Sequence, residues 1–527
     1  MEAALSGTTR TSSGKLVWVV LASALLAVIG AFAYRAYEAK RQLKIAVAQA
    51  EAAMARDTFG GFRDCDRALR DFVTPKSKRT DLISMRSYAL AQLAARYGDD
   101  QAAVDSELLN ATLERGDEGH RGELPGRYYA ARALLLLANG EPGSALLMLS
   151  GSPTTADSPE LQVVRAQVLQ GLEKPADAQT AMIRARAHLP PSLEALLGAA
   201  TNAHLAHQDA RAAELAQKAL AVNPNHWPSL LLVGDLALHS KAIPLPLARD
   251  LIERAMSTLT SEASPTEQCQ ALDELAQIDL SLQNIAGVFQ TLDRGADIDE
   301  TQPACRLQLA RLNLRLGRER QALLLLGAAA SDEDPGEASL VYAEASHDPK
   351  VLIEQASRPI PPELSAAVSA RWQARIDALK LEATLSLDER KLAPPLAKRI
   401  EGWEIPQVQG VLARYRLLTG DAKGAAKLMD GAILSASKQP DAGDALAAVG
   451  ERALELNQYP QAVTACAEGA RRVTANYRAF LCEARALVKL RRFAEASAAV
   501  DQAVSLNPSA PEAGALRAQL AAPLTGP

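Results

Sequence analysis

The sequence predicts an all-α protein assembled from serial helical hairpins. Three observations carry that expectation. The 527 residues are 48% hydrophobic but only 4% aromatic, an aliphatic and visibly alanine-rich composition that favours helix over strand. Small residues, turns and prolines recur with a period of about 34 residues. Near the N-terminus, an uncharged apolar run stands apart from the charged remainder. The 31 Gly and 28 Pro are close to average usage, which excludes collagen and low-complexity disorder. Lys plus Arg total 57 against 62 Asp plus Glu, a net charge of −5. That balance argues against a nucleic-acid binder, which needs a basic surface.

In chain order, residues 1–15 read as a polar tail. Residues 16–34, LVWVVLASALLAVIGAFAY, read as a single transmembrane helix: about 1.5 Å per residue carries them roughly 28 Å, enough to cross a hydrocarbon core. Trp18, Tyr34 and Tyr37 lie where aromatic rings favour the headgroup level. The alternatives are a buried core helix, which the lack of charge disfavours, and a signal peptide cleaved near Ala31-Phe32-Ala33. The latter is disfavoured because helix-forming sequence continues unbroken. The expectation is therefore a single-pass membrane protein with an extracytoplasmic body, as in a bacterial periplasm. The cytoplasmic side is the alternative that Arg35, Lys40, Arg41 and Lys44 favour. Ser23, Ala27 and Ala31 make a small-residue face that alanine richness alone explains, so self-association has no specific support. Residues 35–57 form a juxtamembrane helix whose stripe Leu43, Ala46, Val47, Ala50 and Met54 turns toward the body.

The body carries the repeats. The clearest unit runs from Tyr477 to Pro508, as helix, tight turn, helix and proline stop, with Ala484, Ala496 and Ala503 in small slots. A shift of one period gives Gly450, Ala462, Cys466 and Gly469 without a gap. Further units show Ala166, Ala178 and Ala185; Ala200, Ala212 and Ala219; Gly234, Ala248 and Ala255; Ala310 and Ala322; Ala413, Ala425 and Ala432; and, less regularly, Ala133 and Ala145. Two antiparallel helices need small side chains where their axes approach. A single hairpin cannot bury its apolar faces alone, so hairpins stack. Prolines and glycines every thirty or so residues exclude a continuous coiled coil.

This pattern resembles the tetratricopeptide repeat (TPR) family over much of 126–336 and 406–510, with aliphatics in place of the family's aromatics. The resemblance implies a right-handed α-solenoid. Residues 58–336 are expected to form an N-terminal TPR-like array, beginning with helical pairs of uncertain register. Residues 337–405 form degenerate repeats or a hinge, 406–510 a C-terminal array, and 511–527 a tail.

Signatures of chemistry are few. There is no phosphate-binding loop, GxGxxG or HExxH, and no cofactor is expected. His204 and His207 with Asp209 and His226 are the closest metal candidates, read as solvated polar residues. Asp332 to Glu337 lacks calcium-loop spacing and reads as an inter-repeat turn. The five cysteines read as small core thiols. A disulfide between Cys466 and Cys482, on successive helices, is the alternative.

The remaining candidate is the solenoid's inner groove. In the family, first-helix positions line it. Carried over, these are Gln167, Thr201, Asp235, Gln277, Arg311, Arg414, Glu451 and Arg485, with His204, Arg315, Arg478 and Lys489 adjacent. The family's clamp for C-terminal carboxylates is not implied, because Val163, Leu197, Leu231 and Leu307 occupy its slots. Arg311, Arg315, Arg414, Arg478, Arg485 and Lys489 are the candidate partner-binding cations, and Arg478, Arg485 and Lys489, on one helix face, suit an acidic segment. A solvated face balanced by Glu451 and Glu455 is the competing reading. The expected function is a membrane-anchored, non-catalytic scaffold for protein partners, with a role in assembling an envelope complex. The alternatives are a subunit or regulator of an enzyme, or an enzyme with a site in 337–405.

Overall fold

The computed structural model describes residues 13–74, 77, 79–117, 124–153, 158–187, 192–258, 262–296, 303–331, 337–346, 348–358, 360, 365–389 and 391–521. The side chains of 13–24, 26, 27, 116, 117, 258, 296, 303, 304 and 328–331 lie outside that description. Among the described residues the chain is all helix, with 27 α-helices and no strand. Two compact units divide it: Met1–Pro244 with Arg254–Ser264, and Leu245–Glu253 with Pro265–Pro527.

In the first unit, α1 (Ser13–Met54) and α2 (Phe59–Arg70) precede α3 (Thr80–Tyr97) and α4 (Asp100–Asp117). The pairs α5 (Gly126–Ala138) and α6 (Pro142–Ser150), α7 (Pro159–Gly171) and α8 (Pro175–Ala187), and α9 (Leu193–Leu205) and α10 (Asp209–Val222) follow, then α11 (Trp227–His239). The unit boundary falls inside α12 (Leu245–Thr258).

The second unit continues with α13 (Pro265–Ser281) and α14 (Ile285–Ala296), α15 (Pro303–Arg315) and α16 (Glu319–Ser331), α17 (Glu337–Ser346) and α18 (Pro349–Gln355), and α19 (Ala366–Ser386) and α20 (Ala393–Ile400). It closes with α21 (Pro406–Leu418) and α22 (Ala422–Ala436), α23 (Ala442–Glu455) and α24 (Tyr459–Arg472), α25 (Tyr477–Lys489) and α26 (Phe493–Leu506), and α27 (Pro511–Ala521). In both units successive hairpins pack on each other, from α3 onward with first helix against first helix.

The period explains the packing. Ala133, Ala166, Ala200, Ala310, Ala413 and Ala484 in first helices are all fully buried, as are Ala178, Ala212, Ala322, Ala425, Ala462 and Ala496 in second helices. Hairpin turns share one design, three residues whose middle member is left-handed: Glu173, His207, Gln283, Gly317, Gly420, Asn457 and Arg491 have φ between 57° and 86°. The αL residue lets the chain reverse while amides capture the last carbonyls of the first helix. Side-chain caps start several helices, with Ser158, Ser192, Asp421 and Asn476 each accepting a backbone N–H.

The membrane expectation is corrected. Among the described residues no helix is long and apolar enough to cross a membrane, so the single-pass localisation, with its extracytoplasmic body, is not sustained. The tract 16–34 lies within α1, and the side chains of 16–24, 26 and 27 are outside the described residues. From Arg35 onward α1 carries Glu38, Lys40, Arg41 and Lys44, charges that interrupt any apolar span through its described length. Its later part packs as the stripe requires: Ala46, Ala50 and Ala53 are buried, and Leu43, Val47 and Met54 join Phe62, Cys65 and Leu69 in one core.

Each unit also carries a contact between distant hairpins that periodicity does not announce. In the first, Asn223 Nδ2 donates to the carbonyl of Arg56 at 3.2 Å, just before the left-handed Asp57 (φ 49°). In the second, Asn507 Nδ2 donates to the carbonyl of Leu316 at 2.8 Å, just before the left-handed Gly317 (φ 71°). The same device, an asparagine closing the end of a second helix onto a remote hairpin corner, thus recurs in both.

Four of the five cysteines are paired, which corrects their reading as free core thiols. Cys466 (α24) is bonded to Cys482 (α25), with Cα atoms 6.1 Å apart, and Cys269 (α13) to Cys305 (α15), 5.9 Å apart. Cys65 is a free, buried thiol.

Candidate functional site

The first helices of the second unit bring five of the six candidate cations into an ordered ion-pair ladder rather than an open basic strip. Arg315 donates to both Asp444 oxygens, at 2.6 Å from Nη2 and 3.0 Å from Nε, and Asp444 also accepts from Asn476 at 3.0 Å. Arg414 pairs with Glu382 of α19, which also takes Arg452 at 3.0 Å. Arg478 forks onto Glu451 through Nε at 2.9 Å and through Nη2. Arg311 meets Glu337 at 3.0 Å, and Arg485 meets Glu512 at 2.6 Å. Lys489 is exposed and makes no ion pair among the described residues.

Burial separates these cations into two kinds. Arg315, Arg414 and Arg478 have side chains 23–27% exposed and are held by forked or shared carboxylates. Around Arg478, burial works against the charge, but Glu451, with Glu319 and Asp444 behind it, keeps the guanidinium pKa above its ordinary value. The same opposition, resolved by Asp444, raises Arg315. Arg485 and Glu512 are 44% and 57% exposed, so that pair is worth at most about 1 kcal/mol. Three of the carboxylate partners lie roughly one repeat away in sequence: Arg478 to Glu451 spans 27 residues, Arg485 to Glu512 spans 27, and Arg414 to Glu382 spans 32. That offset is the signal that identifies Glu382 and Glu512, which composition alone passes over; Asp444, 129 residues from Arg315, carries no such signal.

In the first unit a buried polar cluster joins α3 to α9. Tyr88 of α3 donates its hydroxyl to Glu194 at the start of α9 (2.8 Å), and Gln92 Nε2 reaches the same carboxyl at 2.8 Å. Among the described residues Glu194 accepts only from these neutral donors, and burial, reinforced by the nearby Asp57 and Glu160, outweighs the Tyr88 hydrogen bond and Arg96 and pushes its pKa up to about 8. Burial, then Glu194 itself, drives the Tyr88 phenol well above its usual range. For Asp57, burial acts upward but Arg96 (2.7 Å) and His226 (Oδ2 to Nε2, 3.3 Å) prevail, and its pKa lies below the ordinary carboxylate value. His226 Nδ1 faces Ser229 Oγ at 2.7 Å, a network satisfied by the tautomer that donates from Nε2 to Asp57. Nothing periodic marks Tyr88, Gln92, Arg96 or Glu194 as partners.

The other motifs fall apart or fall elsewhere. His204 lies between Asp209 (2.7 Å) and Asp235 (3.1 Å), His207 is the left-handed residue of its turn, and His226 joins Asp57 instead. Among the described residues no three His, Cys, Asp or Glu side chains gather as a metal would require. His347, the one histidine of the 337–405 segment, and residues 332–336 of the acidic inter-repeat turn lie outside the described residues. Val163 and Leu231 in the clamp slots are buried apolar side chains. An open groove of about 710 Å³ between α1 and α2 is lined by Ile45, Arg56, Asp64, Arg67 and Phe72 among others.

No family model matches the chain, and no curated protein matches it. Solved structures that match include the APC/C hetero-tetramer Cut9–Hcn1, at 13% identity over 84% of this chain and 97% of that one, with a TM-score of 0.26. Naa15/Naa10 bound to HypK-THB matches at 16% identity over 82% of this chain and 66% of that one, with a TM-score of 0.27.

Proposed function

We propose that the chain is a non-catalytic scaffold of TPR-like hairpins that binds protein partners, and that an acidic partner segment docks on α25 at Arg485 and Lys489. The observation that supports this reading is the contrast within the ladder. Arg315, Arg414 and Arg478 are committed to intrachain carboxylates, and removing them would strand buried charge. Arg485 and Lys489, one helical turn apart, are exposed, and the single pair that Arg485 makes is weak enough for an incoming carboxylate to exchange with Glu512.

The test is a photo-crosslinking residue placed at 489 in the full-length chain, in cells, with and without Arg485→Glu. The reading expects a discrete crosslinked partner whose acidic segment is mapped by mass spectrometry. It also expects its yield to fall about tenfold with the charge reversal, as loss and repulsion of one interfacial charge predict. An undiminished yield overturns the site. Turnover of a small substrate by the purified chain alone overturns the scaffold.

A further inference from the structure

The two disulfides occupy particular places in the stack. The second unit contains seven complete hairpins, from α13/α14 to α25/α26. Cys269–Cys305 ties the first of these to the second, and Cys466–Cys482 ties the sixth to the seventh. Cys65 is the only other cysteine, so the four intervening junctions carry no covalent link. In a linear array each repeat is stabilised mainly by its two neighbours, and an end repeat has lost one of them. Within the unit and among the described residues, α13/α14 is flanked outside by the Leu245–Glu253 piece of α12, through Arg249–Asp279 and Arg294–Glu253 pairs. On its outer side α25/α26 has α27 in place of a full hairpin, and beyond its neighbours it meets the α15/α16 hairpin at a corner, where Tyr477 lies against Gly317 and Asn507 reaches Leu316.

The last junction is also poor in apolar bulk. Ala447, Ala470 and Ala479, with Phe480, form one of its small cores. Gly450 leaves out a Cβ that would otherwise run into Cys466 Sγ and lie 3.2 Å from Cys482 Sγ. The sulfurs fill the space that a larger side chain would have taken.

We propose that these two cystines are end-staples, and that their oxidation state sets how readily the terminal hairpins of the second unit open. The reaction is thiol–disulfide exchange with a dithiol. One dithiol thiolate attacks a cystine sulfur, the S–S bond breaks, and the mixed disulfide is displaced by the second thiol. Two electrons pass to the cystine, two protons end on the released cysteine thiols, and the dithiol leaves as a cyclic disulfide. All four sulfurs belong to residues at most 8% exposed, so attack requires the junction to open first. This holds whatever the array binds.

Hydrogen exchange on the full-length chain, oxidised and after dithiothreitol, tests the proposal. Closing a loop the size of the 16-residue Cys466–Cys482 separation restricts opening roughly a hundredfold. Reduction is therefore expected to accelerate exchange by about that factor in α25–α27 and in α13–α14, with α19–α23 little changed. The double variant Cys466→Ala, Cys482→Ala is expected to show fast α25–α27 exchange without reductant, while α13–α14 still responds to it. Unchanged exchange on reduction, an equal rise throughout the unit, or complete alkylation of the four cysteines in the unreduced native chain would each overturn the proposal. If the double variant does not fold, the reduced wild-type chain still returns one of these results.

Discussion

Replacing Glu194 by glutamine should stabilise the first unit at neutral and alkaline pH and remove a specific pH dependence. Glu194 is buried, with a pKa pushed up to about 8 from the ordinary 4.5, first by loss of water and then by Asp57. Below pH 4.5 the group is protonated in both folded and unfolded chains and contributes no pH dependence. Between 4.5 and 8 the unfolded chain gives up a proton that the folded chain keeps. Stability therefore falls by about 1.4 kcal/mol per pH unit, reaching a loss of about 3 kcal/mol at pH 7. Glutamine keeps the shape, still accepts from Tyr88, and offers an N–H to Gln92 Oε1, which has no partner at present. Tyr88 titrates too high to intrude. The assay is hydrogen exchange of α3 and α9 at a series of pH values, each corrected with an unfolded control. Wild type should lose protection from pH 5 to 8 and Glu194→Gln should not. A variant less protected than wild type at pH 7, or one that keeps the slope, refutes the reasoning.

Other perturbations read out different parts of the structure. Gly450→Ala should cost about 1–3 kcal/mol, because the new methyl collides with Cys466 Sγ, and a thiol count on the folded variant should show incomplete Cys466–Cys482 bonding. Asp444→Ala should cost about 2–4 kcal/mol by stranding the half-buried Arg315 and freeing Asn476, and thermal melting should register the loss. Cys65, buried and with its thiol pushed up to about 12, should resist iodoacetamide at pH 8 in the native chain and react at once in urea.

Much of the fold is legible because the physics that builds it is local and repeated. Ala484, Ala496 and Ala503 announce their burial through spacing, and so do their counterparts one or more periods upstream. The turns are equally regular, although Glu173, His207, Gln283 and Arg491 take a left-handed conformation that composition does not single out. What escapes the sequence is whatever joins points without a period. The Tyr88–Glu194 contact spans 106 residues and the Asn507–Leu316 contact 191, and each uses side chains that are unremarkable where they stand. The ladder falls between these extremes. Its arginines are found by family position, whereas Glu382 and Glu512 become visible only when acids one repeat away are sought. Cys269 and Cys305, 36 residues apart, obey the same rule. Hydropathy fails differently: the charge-free run at 16–34 continues into a helix whose described length supports no membrane crossing.

The central claim is that hairpins nest in sequence order through small side chains at their closest approach. Ala200, Ala310, Ala413 and Ala484 sit in that slot in four different hairpins, each with no exposed surface. Hydrogen exchange of the four single leucine variants tests the claim directly. Each should loosen its own hairpin and the adjoining ones by about 1–3 kcal/mol while hairpins farther along the chain keep their protection. Leucine accepted without loss in these slots, or loosening that skips the adjoining hairpins, would contradict it.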